Sequence, residues 1–90
     1  LPLQVAEFYS VLGRCHRHLR NAKAARLLFQ RSLEVRRNSL DDAIGAIGVV
    51  ENRIDLGDLE RDAGNIPGAL QAYRDALAQM QASADARHPL

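Results

Sequence analysis

The chain repeats itself at an offset of 44 residues, and this internal repeat limits its possible folds more than any other feature. All the matched positions are ones where a helical hairpin must either turn or bury a side chain. Two short-turned hairpins cannot each bury a face alone, so we expect one to stack on the other and form the core. The matched pairs are Leu12-Gly13 and Leu56-Gly57, Arg17 and Arg61, Asn21 and Asn65, Ala25 and Ala69, Phe29 and Tyr73, Ser32 and Ala76, and Leu33 and Leu77.

The composition predicts an all-α fold. Apolar residues make up 47% of the chain but only four residues are aromatic, so Ala, Leu, Ile and Val must fill the core. The chain has no Thr and no alternating run of strand-forming residues. The longer stretches are rich in residues that lose little side-chain freedom in a helix. The expected fold class is an α-α superhelix, or solenoid segment, of two helix-turn-helix hairpins.

The first hairpin is predicted to turn near Arg20 and Asn21. The apolar spacing of one helix ends there, and Asn is a suitable N-cap for the next helix. That second helix should run to about Arg37. Arg36 and Arg37 then lie at its C-terminal end, where the helix dipole favours positive charge.

The second hairpin has clearer signals for where its helices begin and end. Ser39-Leu40-Asp41-Asp42 has the pattern of a capping box and predicts the start of a third helix, which should end near Ala63. Gly64 supplies a left-handed turn and Asn65 caps the last helix, which is predicted to fade by about Ala84. The residues that this helix is predicted to bury are Ala69, Ala72, Tyr73, Ala76, Leu77 and Met80.

The sign of the charge is divided along the chain. Residues 1–37 hold eight Arg or Lys against two Glu, which gives +6, and residues 38–90 hold four Arg against nine acids, which gives −5. A basic half is typical of nucleic-acid binding, but an acidic half of similar size would largely cancel its field. We therefore disfavour a nucleic-acid partner, for which residues 14–37 would be the binding segment.

Nothing in the chain indicates a membrane protein. No stretch reaches the 18 consecutive apolar residues that predict a membrane span, and the first residues lack the layout of a signal peptide. The single cysteine, Cys15, cannot form an internal disulfide. The expected location is the cytoplasm.

The sequence offers little for catalysis or metal binding. Cys15 and His18 would share a helix face while His16 points elsewhere, and only His88 could add a ligand, so we interpret Cys15 as a small buried residue. A nucleophile such as Cys15 or Ser10 would need a base and an orienting acid in a pocket that two hairpins do not provide. Phosphate loops and dinucleotide fingerprints are absent. We expect no enzyme activity, no cofactor and no metal.

The repeated positions resemble those of the tetratricopeptide repeat. In that family the first helix carries a large residue, a Leu-Gly pair and another large residue, and the second carries a small, an aromatic and a small residue. The corresponding residues are Tyr9, Leu12-Gly13, His16, Ala25, Phe29 and Ser32 in the first repeat, and Arg53, Leu56-Gly57, Glu60, Ala69, Tyr73 and Ala76 in the second.

The period is longer than the 34 residues usual for the family. The resemblance places the repeats at about 6–39 and 50–83, with helix-lengthening residues at 40–49 and a tail or the start of a further repeat at 84–90. This period is similar to that of kinesin light chain repeats. Arg20 replaces the usual Gly, which predicts a strained or differently closed first turn.

The resemblance implies a protein-protein interaction module. Its concave face would hold a peptide or helix of a partner, within a larger bacterial regulatory or signalling protein. The outward positions of the first helix of each hairpin would form this face: Glu7, Ser10, Val11, Arg14, Arg17, His18, Glu51, Ile54, Asp55, Asp58, Arg61 and Asp62.

Two alternatives remain open at this point. Arg14 and Arg17 could pair with Asp58 and Asp62 across adjacent helices, which would leave the face less available to a partner. The chain could also be a structural spacer that associates with itself, forming a homo-oligomer through its uncapped repeat ends.

Overall fold

The computed structural model describes residues 3–38 and 43–87, with the side chains of 3–38 and 46–84. This part of the chain is all-helical and contains no strand. Helix α1 packs on α2, α3 packs on α4, and α2 joins the two pairs by packing on α3. The predicted all-α fold is confirmed at this level. The helices are α1 (Leu3–His18), α2 (Ala22–Arg37), α3 (Ala43–Asp62) and α4 (Ile66–Arg87).

The two tight turns have the same construction. Asn21 accepts a hydrogen bond at its side-chain oxygen from the backbone N–H of Ala24 at 3.3 Å, and Asn65 does the same for Gly68 at 3.1 Å. These bonds satisfy backbone donors that the first helical turn leaves free. Both predicted N-caps are therefore confirmed.

One residue in each turn has a left-handed backbone. Gly64 has a φ of 82°, and Arg20, which lies 44 residues before it, has a φ of 61°. Glycine adopts this conformation freely, whereas a residue with a Cβ atom is disfavoured there by about 1 kcal/mol or more. The first turn thus closes as the second does, and Arg20 carries the predicted strain.

The repeated glycines allow the paired helices to approach closely. A Cβ atom on Gly13 would lie 2.5 Å from the ring of Phe29, and one on Gly57 would lie 2.6 Å from the ring of Tyr73. Each aromatic ring of α2 or α4 therefore rests on the bare backbone of the preceding helix. The spacing of the Leu-Gly pair and the aromatic residue follows from this contact.

The apolar core is small and lies between the two pairs of helices. Ala25 and Phe29 of α2 form a buried cluster with Leu59 of α3, and Leu56 packs against it while only partly buried. Burial of these side chains is the main apolar force that holds α3 on α2.

Helix α4 differs from its prediction in two ways. It continues to Arg87 instead of fading near Ala84. Leu77 and Met80, predicted to be buried, are 54% and 53% exposed, because α4 buries only the narrower stripe around Ala69 and Ala76. The predicted capping box at 39–42 lies outside the described residues, as do residues 88–90 of the proposed further repeat.

A search of the described helices for a long apolar segment found none that could cross a membrane.

The matched turns allow a reciprocal test of backbone strain. Arg20→Gly should raise the free energy of unfolding by about 1 kcal/mol, because it removes a left-handed residue that carries a Cβ atom. Gly64→Arg should lower it by a similar amount, since no atom lies within 4 Å of the added Cβ and only the backbone opposes the change. Urea unfolding at high salt, which screens the altered charge, measures both, and changes of the same sign would contradict this account.

Candidate functional site

The predicted contact face lies along α1 and α3, and an ion pair joins the two helices near their C-terminal ends. Arg17 Nε donates to Asp62 Oδ2 at 2.6 Å, and Arg17 Nη1 lies 3.9 Å from Asp58 Oδ2. The hydrogen bond from Arg17 lowers the pKa of the Asp62 carboxyl below its ordinary value. The basic α1 is therefore joined to the acidic α3 within the chain.

A second ion pair lies one turn of α1 away. Arg14 Nε and Nη2 donate to the two carboxylate oxygens of Asp55 at 3.3 and 3.2 Å. Asp55 is buried, and this burial raises the pKa of its carboxyl, although the hydrogen bond from Arg14 acts in the opposite direction. Asp55 was predicted to contact a partner. Its burial under α1 instead makes it part of the packing between the helices.

Asp58 is also engaged within the chain. Tyr73 of α4 donates its hydroxyl hydrogen to Asp58 Oδ1, and Arg61 Nη2 lies 3.7 Å from the same oxygen. Partial burial, followed by this hydrogen bond to a carboxylate, raises the pKa of the Tyr73 hydroxyl. The expected internal pairing of Arg17 with Asp58 and Asp62 is observed, while Arg14 pairs with Asp55.

Ser10, another predicted contact residue, is fully buried. Its hydroxyl lies 2.8 Å from that of Ser32, which donates to the backbone oxygen of Ala6 at 2.7 Å. A partner cannot reach Ser10 without separating α1 from α2, so its assignment to the contact face is corrected. Its small polar side chain belongs to a buried hydrogen-bonded cluster.

Arg36 is the centre of this cluster, which we name the Arg36 cluster: Arg36 with Ser10, Ser32, Gly48 and Asn52. Arg36 is only 5% exposed. Its Nη1 atom contacts Ser10 Oγ at 3.2 Å, the backbone oxygen of Gly48 at 3.1 Å, and Asn52 Oδ1. Helices α1 and α3 therefore supply oxygens around one guanidinium group that α2 buries between them.

The rest of the cluster fixes α3 to α2. Asn52 Nδ2 donates to the backbone oxygen of Phe29 at 3.1 Å, while Asn52 Oδ1 accepts from Arg36. Both ends of this side-chain amide are therefore hydrogen-bonded to α2. Gly48 leaves room for the arginine, since a Cβ atom there would lie 2.5 Å from Arg36 Nε. Arg36 was predicted to lie at a helix end because its charge is favoured there, and its burial was not predicted. Gly48, a glycine inside a helix, was the one feature of the sequence that could have indicated a bulky side chain packed against α3.

Arg36 also reaches the contact face through Glu7. Arg36 Nη2 donates to Glu7 Oε2 at 2.8 Å, and the Glu7 side chain is 55% exposed. Beside this pair lies an open groove of about 480 Å³ between the N-terminal halves of α1 and α3. It is lined by Leu3, Gln4, Glu7, Arg36, Ile47, Gly48 and Glu51.

The groove combines apolar surface with negative charge. Ile47 is 54% exposed, and Glu7 and Glu51 supply carboxylates beside it. The prediction included both glutamates but not Ile47, which lies one helical turn before Glu51 and shares its face. The other predicted residues that remain exposed on this side are Val11, His18, Ile54, Arg61 and Asp62.

Among the described side chains, no three His, Cys, Asp or Glu residues lie close enough together to hold a metal ion. Cys15 is exposed, so its interpretation as a small buried residue is wrong. It lies on the side of α1 opposite Ala6, Ser10 and Gly13, the residues that α1 buries.

Because Arg36 is buried, replacing it should cost much more stability than replacing its neighbour Arg37. Arg36→Ala should lower the free energy of unfolding by about 3 kcal/mol, because it leaves a void and removes the donor from several buried oxygens. Arg37→Ala removes the same side chain from an exposed position and should change it by less than about 0.5 kcal/mol. Chemical unfolding followed by circular dichroism measures both, and equal losses would contradict the role of the cluster.

The opposite pKa directions of two aspartates predict opposite effects on acid stability. Asp62 has a lowered pKa, so its contribution to stability is lost as the pH falls through that value, and Asp62→Asn should weaken the pH dependence. Asp55 has a raised pKa, so its protonation favours the folded chain, and Asp55→Asn should make the loss steeper. Unfolding curves between about pH 6 and pH 2 measure this, and parallel slopes would exclude it.

The chain matches no protein-family model, no curated protein and no solved structure. The functional conclusion therefore has to come from the contact face itself: an ion-paired seam between α1 and α3 that ends in an open acidic and apolar groove.

Proposed function

We propose that this chain is a protein-protein interaction module of the tetratricopeptide type, which holds a peptide or helix of a partner on its α1/α3 face. The hairpin geometry supports this proposal, because each Leu-Gly glycine lies under the aromatic ring that the motif pairs with it. The resemblance further supports a place in the cytoplasm, within a larger bacterial regulatory or signalling protein.

One observation carries the proposal: an open groove lies beside Ile47 and Glu51, while the arginines of α1 are paired with carboxylates of α3. Arg14 and Arg17 are engaged by carboxylates of α3, so their charges are largely satisfied within the chain. Ile47, in contrast, is an exposed apolar side chain in a concave surface. A concave, partly apolar surface with a few polar groups is the usual form of a ligand site.

The charges around the groove select the partner. An apolar side chain of a peptide would cover Ile47, and a neighbouring Lys or Arg would meet the Glu51 carboxylate. A partner with an acidic residue at that place would face Glu51 and would be repelled. The partner chemistry that fits is an amphipathic segment with basic residues beside its apolar face.

Two synthetic helical peptides test this selectivity. They share one apolar face and differ only in carrying Lys or Glu beside it, and fluorescence anisotropy measures their Kd. The Lys peptide should bind more tightly than the Glu peptide. Glu51→Lys should weaken binding of the Lys peptide by about fivefold, the effect of one partly exposed ion pair.

Glu34→Lys is the matched control, since it makes the same charge change at an exposed position of α2 away from the groove. Equal affinity of the two peptides, or equal losses from Glu51→Lys and Glu34→Lys, would rule out the groove as the binding site.

A second candidate, a structural spacer that associates with itself, is favoured by a different observation. Large apolar side chains are exposed along α1 and α4, the first and last helices, on faces that no other helix of the described chain covers.

A further inference from the structure

Seven of the eleven large apolar side chains that are exposed among the described residues fall into two stripes, which we name the α1 stripe and the α4 stripe. Each has the spacing of three, four or seven residues that places side chains on one helix face. The most exposed members are Leu19 at 75% and Phe8 at 70%. The α1 stripe is Phe8, Leu12 and Leu19, with Cys15 between them, and the α4 stripe is Ile66, Leu70, Leu77 and Met80.

The 44-residue offset relates these stripes to a junction that already exists inside the chain. At that junction, α2 packs on α3 through the Phe29 and Leu59 cluster, with Leu56 beside it. The residue 44 positions after Phe29 of α2 is Tyr73 of α4, which lies between Leu70 and Leu77 of the α4 stripe. Subtracting 44 from Leu56 and Leu59 of α3 gives Leu12 and Cys15 of α1. The two exposed stripes are thus the counterparts of two faces that pack on each other.

The central polar contact of the internal junction has apolar counterparts on both stripes. Inside the chain, Arg36 of α2 donates to Asn52 of α3. Their counterparts at the same offset are Met80 and Phe8. Arginine and asparagine are therefore replaced together by a thioether and an aromatic ring, which also attract one another. The replacement keeps the two sides complementary.

A second polar pair of the junction changes in a similar way. Arg26 Nη2 lies 2.8 Å from Glu60 Oε1 inside the chain, and the counterparts of these residues are Leu70 and His16. The cation and the carboxylate are both absent from the counterpart pair. A contact between the two stripes would therefore be mainly apolar, where the internal junction is partly ionic.

We propose that the α4 stripe of one copy packs on the α1 stripe of a second copy, repeating between chains the junction that α2 and α3 make within one. The occupant is a second copy because this chain carries both complementary faces in the arrangement that the internal junction defines. This inference concerns surfaces apart from the groove beside Glu51 and does not depend on peptide binding there.

The contact is head to tail, so a dimer formed through it keeps one free stripe of each kind. Each added copy leaves one α1 stripe and one α4 stripe free at the ends of the assembly, and further copies can add in the same way. Assembly should therefore proceed past the dimer as the concentration rises, which differs from association through a two-fold axis.

Complementary blocking variants test the head-to-tail contact. Phe8→Asp blocks the α1 stripe and Met80→Asp blocks the α4 stripe, because each places a charge in an apolar contact. Sedimentation velocity across about 10 µM to 1 mM should show the unaltered chain growing past the dimer and each variant remaining a monomer. An equimolar mixture of the two variants should form a 1:1 dimer and nothing larger, since one intact face of each kind remains.

Every other outcome overturns the proposal. A monomeric unaltered chain excludes self-association. If one variant alone still dimerises, the contact is two-fold and uses the stripe that this variant retains. Monomers in the mixture exclude complementarity between the stripes. Circular dichroism confirms that the variants remain helical, and Phe8→Ser with Met80→Gln offer milder changes that should weaken assembly in the same pattern.

Two controls separate this contact from other forces and from the proposed groove. Ile54→Asp adds the same charge at an exposed isoleucine outside both stripes, and Glu51→Lys alters the groove, so both should assemble as the unaltered chain does. Assembly should also persist in about 1 M NaCl, where attraction between the basic and acidic halves is screened. Loss of assembly in salt would overturn the apolar contact.

Discussion

The packing of α1, α2 and α3 depends on the guanidinium group of Arg36. A buried cation is tolerated only when oxygens surround it, and here α1 supplies the hydroxyl of Ser10 while α3 supplies Asn52 and the backbone of Gly48. These directional bonds fix the position of α3 along α2, which the small apolar cluster around Phe29 would define less sharply. Glu7 extends the same network to the surface, where it forms one wall of the open groove.

The division of charge along the chain has its structural explanation in the pairing of α1 with α3. Arg14 and Arg17 of the basic half meet Asp55 and Asp62 of the acidic half across the contact face. The charges that suggested a binding surface in the sequence are thus used largely for packing. The ion pairs do not cover the acidic groove beside Glu51. The proposed site is therefore limited to the few residues that line this groove.

Local signals in the sequence were enough to predict the helices and turns. Gly13 and Phe29 are paired by a single contact within one hairpin. The caps at Asn21 and Asn65 each involve only the first turn of one helix, so both features depend on nearby residues alone. The burial of Ser10 and Asp55 was not predictable in this way. Both residues lie at the edge of a helix face, next to the neighbouring helix. Such a residue is covered only if α1 approaches α3 closely, and this distance is not evident from the sequence. The burial of the Arg36 guanidinium was not predicted for a related reason, because the oxygens around it come from two other helices, α1 and α3.

The polar character of the internal junction has a consequence for the fidelity of folding. Two similar hairpins in one chain could in principle dock through the wrong pair of faces. If α1 took the place of α3 on α2, Arg36 would meet Phe8 where it now meets Asn52, and the guanidinium would lose an acceptor in an apolar setting. The Arg36 and Asn52 pair therefore rejects this mispaired arrangement, which two apolar side chains at the same positions would tolerate.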